Sequence, residues 1–359
     1  MILTRYIIRE IRSPMVAICV LLIVVFGSYS AAQYLADAVG GLLPPGAVIL
    51  LIMLKIAIAL EVLLPTTLYL SVVISLGRMY RDSEMIALES CGVGISRILK
   101  SVFYYAAIVA FLVAGLSCYV RPWAYERIYW WKAQAKSNFD ISRIEAGHFY
   151  ELQEGDLVIF AGKVKRARNR GENVFLRSKD AERLQVIYAK RAYQGVEETS
   201  GNQVLLLQDG YLYEFALNGG KGNVTEFQKA TYVLVPKKII PDKYRRKAAP
   251  TSLLVRSDNL EDIAEMQWRF STPISAILLG LLGVALSRTT PRKGKYGKLV
   301  TAVLVFAFYY NVSIVAKNWV EKGTVSPIPG MWWVPALLAA LIVAMFWHQI
   351  IVVFKRLGR

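Results

Sequence analysis

Ionisable residues inside apolar runs are the first places to look for chemistry in this chain, because charge is held in hydrocarbon only where it has a partner or a task. Lys55 and Glu61 both lie within the apolar run from about Ala47 to Leu76. At 100° per helical residue they sit about 120° apart, so they do not face each other along one helix. Each needs a partner across a helix interface or in a wet cavity, although Lys55 is shallow enough to snorkel instead. Lys317 and Lys322 close another apolar run, on a side of the chain otherwise poor in basic residues. Such lysines either contact lipid phosphates or snorkel to the interface. A third candidate is Glu84, which follows Arg78, Arg81, Asp82 and Ser83. Its plainest explanation is a helix-start carboxylate favoured by the dipole, capped by Asp82 or Ser83, or an i,i+3 pair with Arg81.

Other chemistry is missing. Two histidines leave no room for a His-rich metal site, and Cys19, Cys91 and Cys118 are too far apart for a zinc motif. All three cysteines lie in or beside apolar stretches, where Cys acts as a small buried hydrophobe. There is no GxxxxGK[ST] phosphate loop, no Ser-His-Asp pattern and no pair of carboxylates in a plausible cleft. No catalytic residue, metal or cofactor is therefore expected in this chain. The 359 residues are 55% hydrophobic and only 19% charged, with a net charge of +17. That is too apolar and too sparsely charged for an ordinary soluble enzyme, and 12% aromatic residues exclude disorder.

The elements that must carry these residues are membrane helices. Each crossing needs roughly 20 mostly apolar residues. Runs of that kind cover about Met15 to Tyr34, Ala47 to Leu76, Ile98 to Val120, Leu299 to Val320 and Val334 to Phe354. A further run, Pro273 to Leu286, reaches spanning length once Trp268 to Thr272 are included, which makes six spans. The first run is too long for a signal peptide and has no clear cleavage site. Arg5, Arg9 and Arg12 precede it, and basic residues also cluster at Arg78 to Lys100, at Arg288 to Lys298 and at Lys355 to Arg359. By the positive-inside rule these segments and both termini are cytoplasmic. Trp123, Trp130, Trp131, Trp268, Trp319, Trp332 and Trp333 fall near the opposite ends of the spans, and Trp347 near a cytoplasmic end, as an aromatic belt of anchors would.

Between the third and fourth spans the pattern changes to short strands: His148 to Leu152, Leu157 to Val164, Asn173 to Leu176, Leu184 to Arg191, Val204 to Gln208, Tyr211 to Leu217 and Thr231 to Pro236. Asp209-Gly210 reads as a hairpin turn and Asn218-Gly219-Gly220 as another. Short strands without helices between them suggest a sandwich or jelly roll. Lys237 to Arg246 reads as a basic loop, and Ser257 as the cap of a short helix leading back to the membrane. The fold class is thus an α-helical membrane protein with an inserted all-β domain outside the cytoplasm: residues 1–121 hold three helices with a cytoplasmic segment at about 78–97, residues 122–268 the β-domain, and residues 269–359 three more helices.

This layout resembles the lipopolysaccharide export permeases, the LptF/LptG family, across essentially the whole chain, though weakly in the β-domain. Gly77-Arg78-Met79-Tyr80-Arg81-Asp82-Ser83-Glu84-Met85, followed by Glu89-Ser90-Cys91-Gly92, is similar to the family's G-x-x-Y-x-x-S-E-x cytoplasmic segment. Leu64-Pro65 matches the proline of its second helix, and Pro122-Trp123 the exit from its third. Glu265-x-x-Trp268-Arg269 and Pro291-Arg292-x-Gly294-Lys295 match the edges of its fourth span and favour the LptF branch.

The resemblance implies a non-catalytic permease subunit in the inner membrane of a Gram-negative bacterium. Its expected partners are an LptG-like second permease, an LptB-like cytoplasmic ATPase dimer that binds ATP and Mg, an LptC-like periplasmic bridge, and lipopolysaccharide. No nucleic acid is expected. Glu84, with Arg78, Arg81 and Ser83, would then form the coupling segment that docks on the ATPase. Lys317, Lys322, Gln33, Lys55 and Glu61 become candidate lipid contacts, Lys317 first because the family's cavity rim lies there. Gln33 stands where the family often has a basic residue, which weakens the first helix as a phosphate ligand. The competing readings are another ABC-type lipid or lipoprotein permease, which usually has four spans with the domain after the first, and a membrane sensor, which needs a larger cytoplasmic output domain. A lipid-modifying enzyme would need clustered acids, histidines or metal ligands.

Overall fold

The computed structural model describes residues 2–39, 43, 45–137, 146–152, 157–165, 170–179, 183–196, 203–216, 222–234, 245–288 and 297–357. It forms two compact units, one of Met1–Ser30, Ile52–Arg127 and Tyr244–Arg359, the other of Ala31–Leu51 and Ile128–Lys243. The helices are α1 (Ile2–Val39), α2 (Pro45–Arg81), α3 (Glu84–Ser90), α4 (Ile95–Gly115), α5 (Arg121–Ser137), α6 (Thr251–Leu254), α7 (Leu260–Ser287), α8 (Gly297–Glu321) and α9 (Trp333–Leu357). A π-helical turn, Leu116–Val120, joins α4 to α5 without a break.

Among the described residues, five stretches are long and apolar enough to cross a membrane: Ile2–Val39, Gly46–Arg81, Ile95–Gln134, Leu260–Ser287 and Lys298–Glu321. The sixth expected span falls on α9, whose apolar part with described side chains is Trp333–Trp347. The domain boundaries expected after residues 121 and 268 both lie inside helices, because the chain stays helical from Ile95 to Ser137 and from Leu260 to Ser287. The cap of α7 is Asn259, whose side chain accepts the Glu261 N–H at 3.0 Å, and not Ser257. Ser257 instead donates to Asp262 at 2.6 Å, so the short helix and the fourth span are one element.

Two prolines that would ordinarily break these helices are accommodated by borrowed donors. A helical proline has no N–H for the carbonyl four residues back. For Pro122 that carbonyl belongs to Cys118, and it accepts the Thr251 hydroxyl at 2.7 Å. The Arg121 N–H meanwhile reaches back five residues to the Leu116 carbonyl, which is the π-turn. For Pro14 the freed carbonyl is that of Glu10, and Ser75 of α2 donates to it at 2.9 Å. The breaks are thus repaired by side chains of packed neighbours, as membrane helices require.

α7 is the central helix of its unit: 56% of its apolar window is buried, against 11% for α1. Leu68, Val72 and Leu76 of α2, Val102, Ala106 and Val109 of α4, and Leu279 and Leu282 of α7 share one core. Their spacing of three and four puts each set on one helix face. Gly280 and Gly283 allow the close approach, since a Cβ at Gly283 would stand 3.0 Å from Val72 and one at Gly280 would stand 3.2 Å from Ala106.

In the second unit, β1 (Phe149–Leu152), β2 (Leu157–Lys165), β3 (Arg170–Lys179), β4 (Arg183–Val196), β5 (Gln203–Ala216) and β6 (Asn223–Leu234) form one antiparallel sheet. Each strand pairs with its neighbour in sequence. Among the described residues this is a meander and not two packed sheets. Alternate residues Ile159 and Ala161, Val174 and Leu176, Ile187 and Ala189, and Leu205 and Leu207 build its core. Asp209-Gly210 is not a hairpin turn. Both residues lie inside β5, where Gln208 faces Arg191 and Gly210 faces Ala189. Asp209 takes a φ of 55°, and an Arg191 ion pair at 2.5 Å holds it. A Cβ on Gly210 would lie 2.1 Å from the Tyr188 carbonyl, so the dipeptide kinks a continuous strand and does not reverse it. The Asn218-Gly219-Gly220 turn lies outside the described residues, as do Pro291 to Lys295 and most of Lys237 to Arg246.

Candidate functional site

Two clusters of charge stand out in the helical unit. The larger is assembled from α2, the π-turn with α5, α7 and α8. Glu61 of α2 is 1% exposed. Its carboxylate accepts two bonds from Arg121 Nη1, at 2.9 and 2.8 Å, and one from Ser117 Oγ at 2.9 Å. The Trp268 indole N–H adds a bond at 3.1 Å and the Thr272 hydroxyl one at 3.4 Å. Ser117 and Arg121 are the residues set by the π-turn, a distortion that recurs where a helix must aim side chains at a site.

Arg121 also bridges to a second carboxylate. Its Nη2 lies 3.1 Å from Glu265 Oε1, and Glu265 is 2% exposed. Lys317 Nζ of α8 donates to Glu265 Oε2 at 2.5 Å, and Arg269 Nε lies 3.5 Å from Oε1. Arg269 is fully buried and spends its other donors on backbone: the Ala249 carbonyl at 2.9 Å, with the Arg246 and Lys247 carbonyls at 3.3 and 3.4 Å. It also donates to the Thr251 hydroxyl at 2.9 Å. Two cations lie over the Trp268 ring, Arg121 at 5.9 Å and Lys317 at 5.3 Å from its centroid. Three cations, Arg121, Arg269 and Lys317, thus meet two buried carboxylates, and Glu321 adds a third 3.7 Å from Lys317 at the edge of the group. A network of this kind is stable only when every member is paired, since removing one partner strands the other charge.

Beside it lies a cavity of about 30 Å³, lined by Val62, Pro65, Trp268, Thr272, Tyr309 and Tyr310 among others. That is room for a water molecule or two. Among the described residues no group of His, Cys, Asp and Glu is placed to hold a metal ion.

The smaller cluster lies where α2 turns into α3. Ser83 takes a left-handed φ of 61° and makes no capping bond with its side chain, so the expected Ser83 cap does not form. Its carbonyl accepts the Ala87 N–H at 3.0 Å. Glu84 does not pair with Arg81 through a helical contact. It accepts the Tyr6 hydroxyl of α1 at 2.7 Å, while Arg78 pairs with Glu10 of α1. Met85 is fully buried in the main core, and Ile86, Ala87, Glu89, Ser90 and Cys91 are exposed. α3 is therefore a short helix pinned by Met85, by Leu88 packed on the same core and by the Tyr6–Glu84 bond, with its opposite face open. Cys91 departs from the expectation of a buried hydrophobe because it ends this exposed helix.

Comparison with known proteins places this arrangement. The family model described as lipopolysaccharide export system permease LptF/LptG matches residues 5–348. The chain belongs to the LptF/LptG permease family. Proteins named lipopolysaccharide export system permease protein LptF in Escherichia coli K12 and in Shigella flexneri are each 26% identical over 354 residues, 98% of this chain and 96% of theirs. Their name agrees with the branch that the Glu265-Trp268-Arg269 motif favours.

In the permease, two of the expected lipid contacts come together: Glu61 and Lys317 are linked through Arg121 and Glu265. Lys55 is half-buried on α2 and is not among the partners of Glu61. Lys322 is exposed just beyond α8, and Gln33 is exposed on α1, in the second unit. Sequence reasoning passed over Arg121 as a span border, Trp268 as a membrane anchor and Glu265 as a motif edge. The available signal was Arg121 itself, a basic residue at a span end where basic residues are scarce.

Proposed function

We propose that this lipopolysaccharide export permease works as one half of a pair with a homologous six-span subunit, driven by a cytoplasmic ATPase dimer that binds ATP and Mg. The chain itself catalyses nothing. Both termini and α3 are cytoplasmic, α9 is the sixth crossing, and the sheet belongs to a periplasmic β-domain that passes lipid to a jelly-roll-like bridge protein. Lys317 meets a lipid phosphate at the rim of the cavity formed with the second subunit, and Lys322 contributes less. Glu61 is better read as the counter-ion that orients Arg121 than as a lipid contact.

The observation that carries the coupling reading is the geometry of α3. Met85 and the partly buried Leu88 tie it to the core of α2, α4 and α7, Glu84 is half-buried against the Tyr6 hydroxyl, and Ile86, Ala87, Glu89 and Ser90 are exposed on the face a partner can reach. A docked ATPase that moved α3 would therefore move the helices behind it. In liposomes containing the assembled complex, Glu84→Ala and Glu84→Arg are expected to lose most export while leaving the subunits associated. Full export by both variants removes Glu84 from the mechanism.

A further inference from the structure

We propose that Glu265 is a built-in competitor for the lipid anion: it occupies the Lys317 ammonium while the permease is empty, and the incoming phosphate must take that ammonium from it. The inference rests on the reading that Lys317 meets a lipid phosphate. Glu265 sits among donors that suit an oxyanion, with Lys317 Nζ at 2.5 Å, Arg121 Nη2 at 3.1 Å and Arg269 Nε at 3.5 Å. The three cations are not equally fixed. Arg121 is clamped by both oxygens of Glu61, and Arg269 by three backbone carbonyls and Thr251. Lys317 is held by Glu265, by a longer ion pair to Glu321 at 3.7 Å, and over the Trp268 ring. Its side chain is also the most exposed of the three, at 12% against 8% and 0%. It is therefore the one cation free to change partners, since a lysine swings on a flexible stem whereas a forked guanidinium does not.

The exchange is chemically even. Lys317 leaves one oxyanion for another, and Glu265 keeps Arg121 and Arg269, so no buried charge is stranded. A phosphate dianion is the occupant best able to win, because its charge and three acceptor oxygens exceed those of a carboxylate. A neutral or singly charged headgroup has no such advantage. Glu265 then acts as a positioning and selectivity residue: it keeps Lys317 from holding weakly charged bulk lipid and releases it to the phosphorylated one.

The test is equilibrium binding of purified lipopolysaccharide to the full chain, with the subunits that co-purify with it, in nanodiscs of zwitterionic lipid. Glu265→Gln removes the competing charge and is expected to tighten binding about tenfold, the size of one charge-assisted hydrogen bond. The gain is expected to vanish in the Lys317→Ala background. Binding of lipid A stripped of its phosphates is expected to respond little. Normal thermal stability of Glu265→Gln without tighter binding, or an equal gain in the Lys317→Ala background, overturns the competitor role. Should Glu265→Gln fail to fold, Glu265→Asp decides: its shorter side chain draws away from Lys317, so tighter binding supports the inference and unchanged binding overturns it. If Lys317→Ala by itself leaves binding untouched, the lipid contact under "Proposed function" fails, and the competitor role with it. If Lys317→Ala weakens binding while both Glu265 variants do nothing, only the competitor role fails.

Discussion

Glu61 shows how one buried carboxylate can order several elements. It faces Arg121, Ser117, Trp268 and Thr272, which arrive from two other helical segments. Truncating it leaves Arg121 without its two shortest ion contacts in a site that is almost dry, and breaking a buried pair in this way costs about 3–5 kcal/mol. Glu61→Ala is therefore expected to lower the thermal unfolding temperature of the detergent-purified permease strongly. Lys322→Ala, an exposed lysine at the end of α8, is expected to leave it within a degree or two, since such surface changes stay within about 0.5 kcal/mol. Equal stability of the two variants would show that the Glu61 contacts carry no weight.

At the scale of elements, α1 and the continuous α4–α5 helix run through Pro14 and Pro122 because neighbours supply the missing donors. Thr251 is the clearer instance, for its hydroxyl serves the Cys118 carbonyl and accepts from Arg269. Thr251→Val keeps the shape and removes both bonds. It is expected to destabilise by about 1–3 kcal/mol, the cost of leaving a buried polar group unsatisfied, and Thr251→Ser is expected to restore most of the loss. Thermal unfolding of the two variants checks this, and a wild-type melting temperature for Thr251→Val would mean the π-turn needs no outside donor. The same element carries Ser117 and Arg121 to Glu61, so any loosening should also weaken that ion pair.

For the whole molecule, the proposed orientation puts β6 in the periplasm and α3 in the cytoplasm. Thr225 on β6 and Cys91 at the end of α3 are both exposed within their own units. A membrane-impermeant maleimide added to cells with a permeabilised outer membrane is expected to label Thr225→Cys in a chain freed of its own cysteines. The same reagent is expected to reach native Cys91 only after the inner membrane is opened. Labelling of Cys91 in intact spheroplasts would reverse the orientation.

Much of this protein was legible in its sequence, because membrane spans are read from hydrophobic length and side preference from charge. The five long apolar helices, the helix at Trp333–Leu357 and a β-rich insertion follow from composition and periodicity alone. So did the demand that Glu61 find a partner off its own helix, since helical geometry excludes Lys55. What sequence could not supply was the identity of that partner. Arg121 and Trp268 lie 60 and 207 residues away from Glu61, and only the packing of α2 against the π-turn and α7 brings them within bonding distance. The kink at Asp209-Gly210 was misread for a related reason. The dipeptide has the local preferences of a turn, but pairing of β5 with both β4 and β6 outweighs them. Likewise Lys317 looked like a lysine reaching for lipid, and tertiary structure placed a buried carboxylate at its tip. Local rules determine which segments form and where charge is costly; contacts across the fold decide what that charge meets.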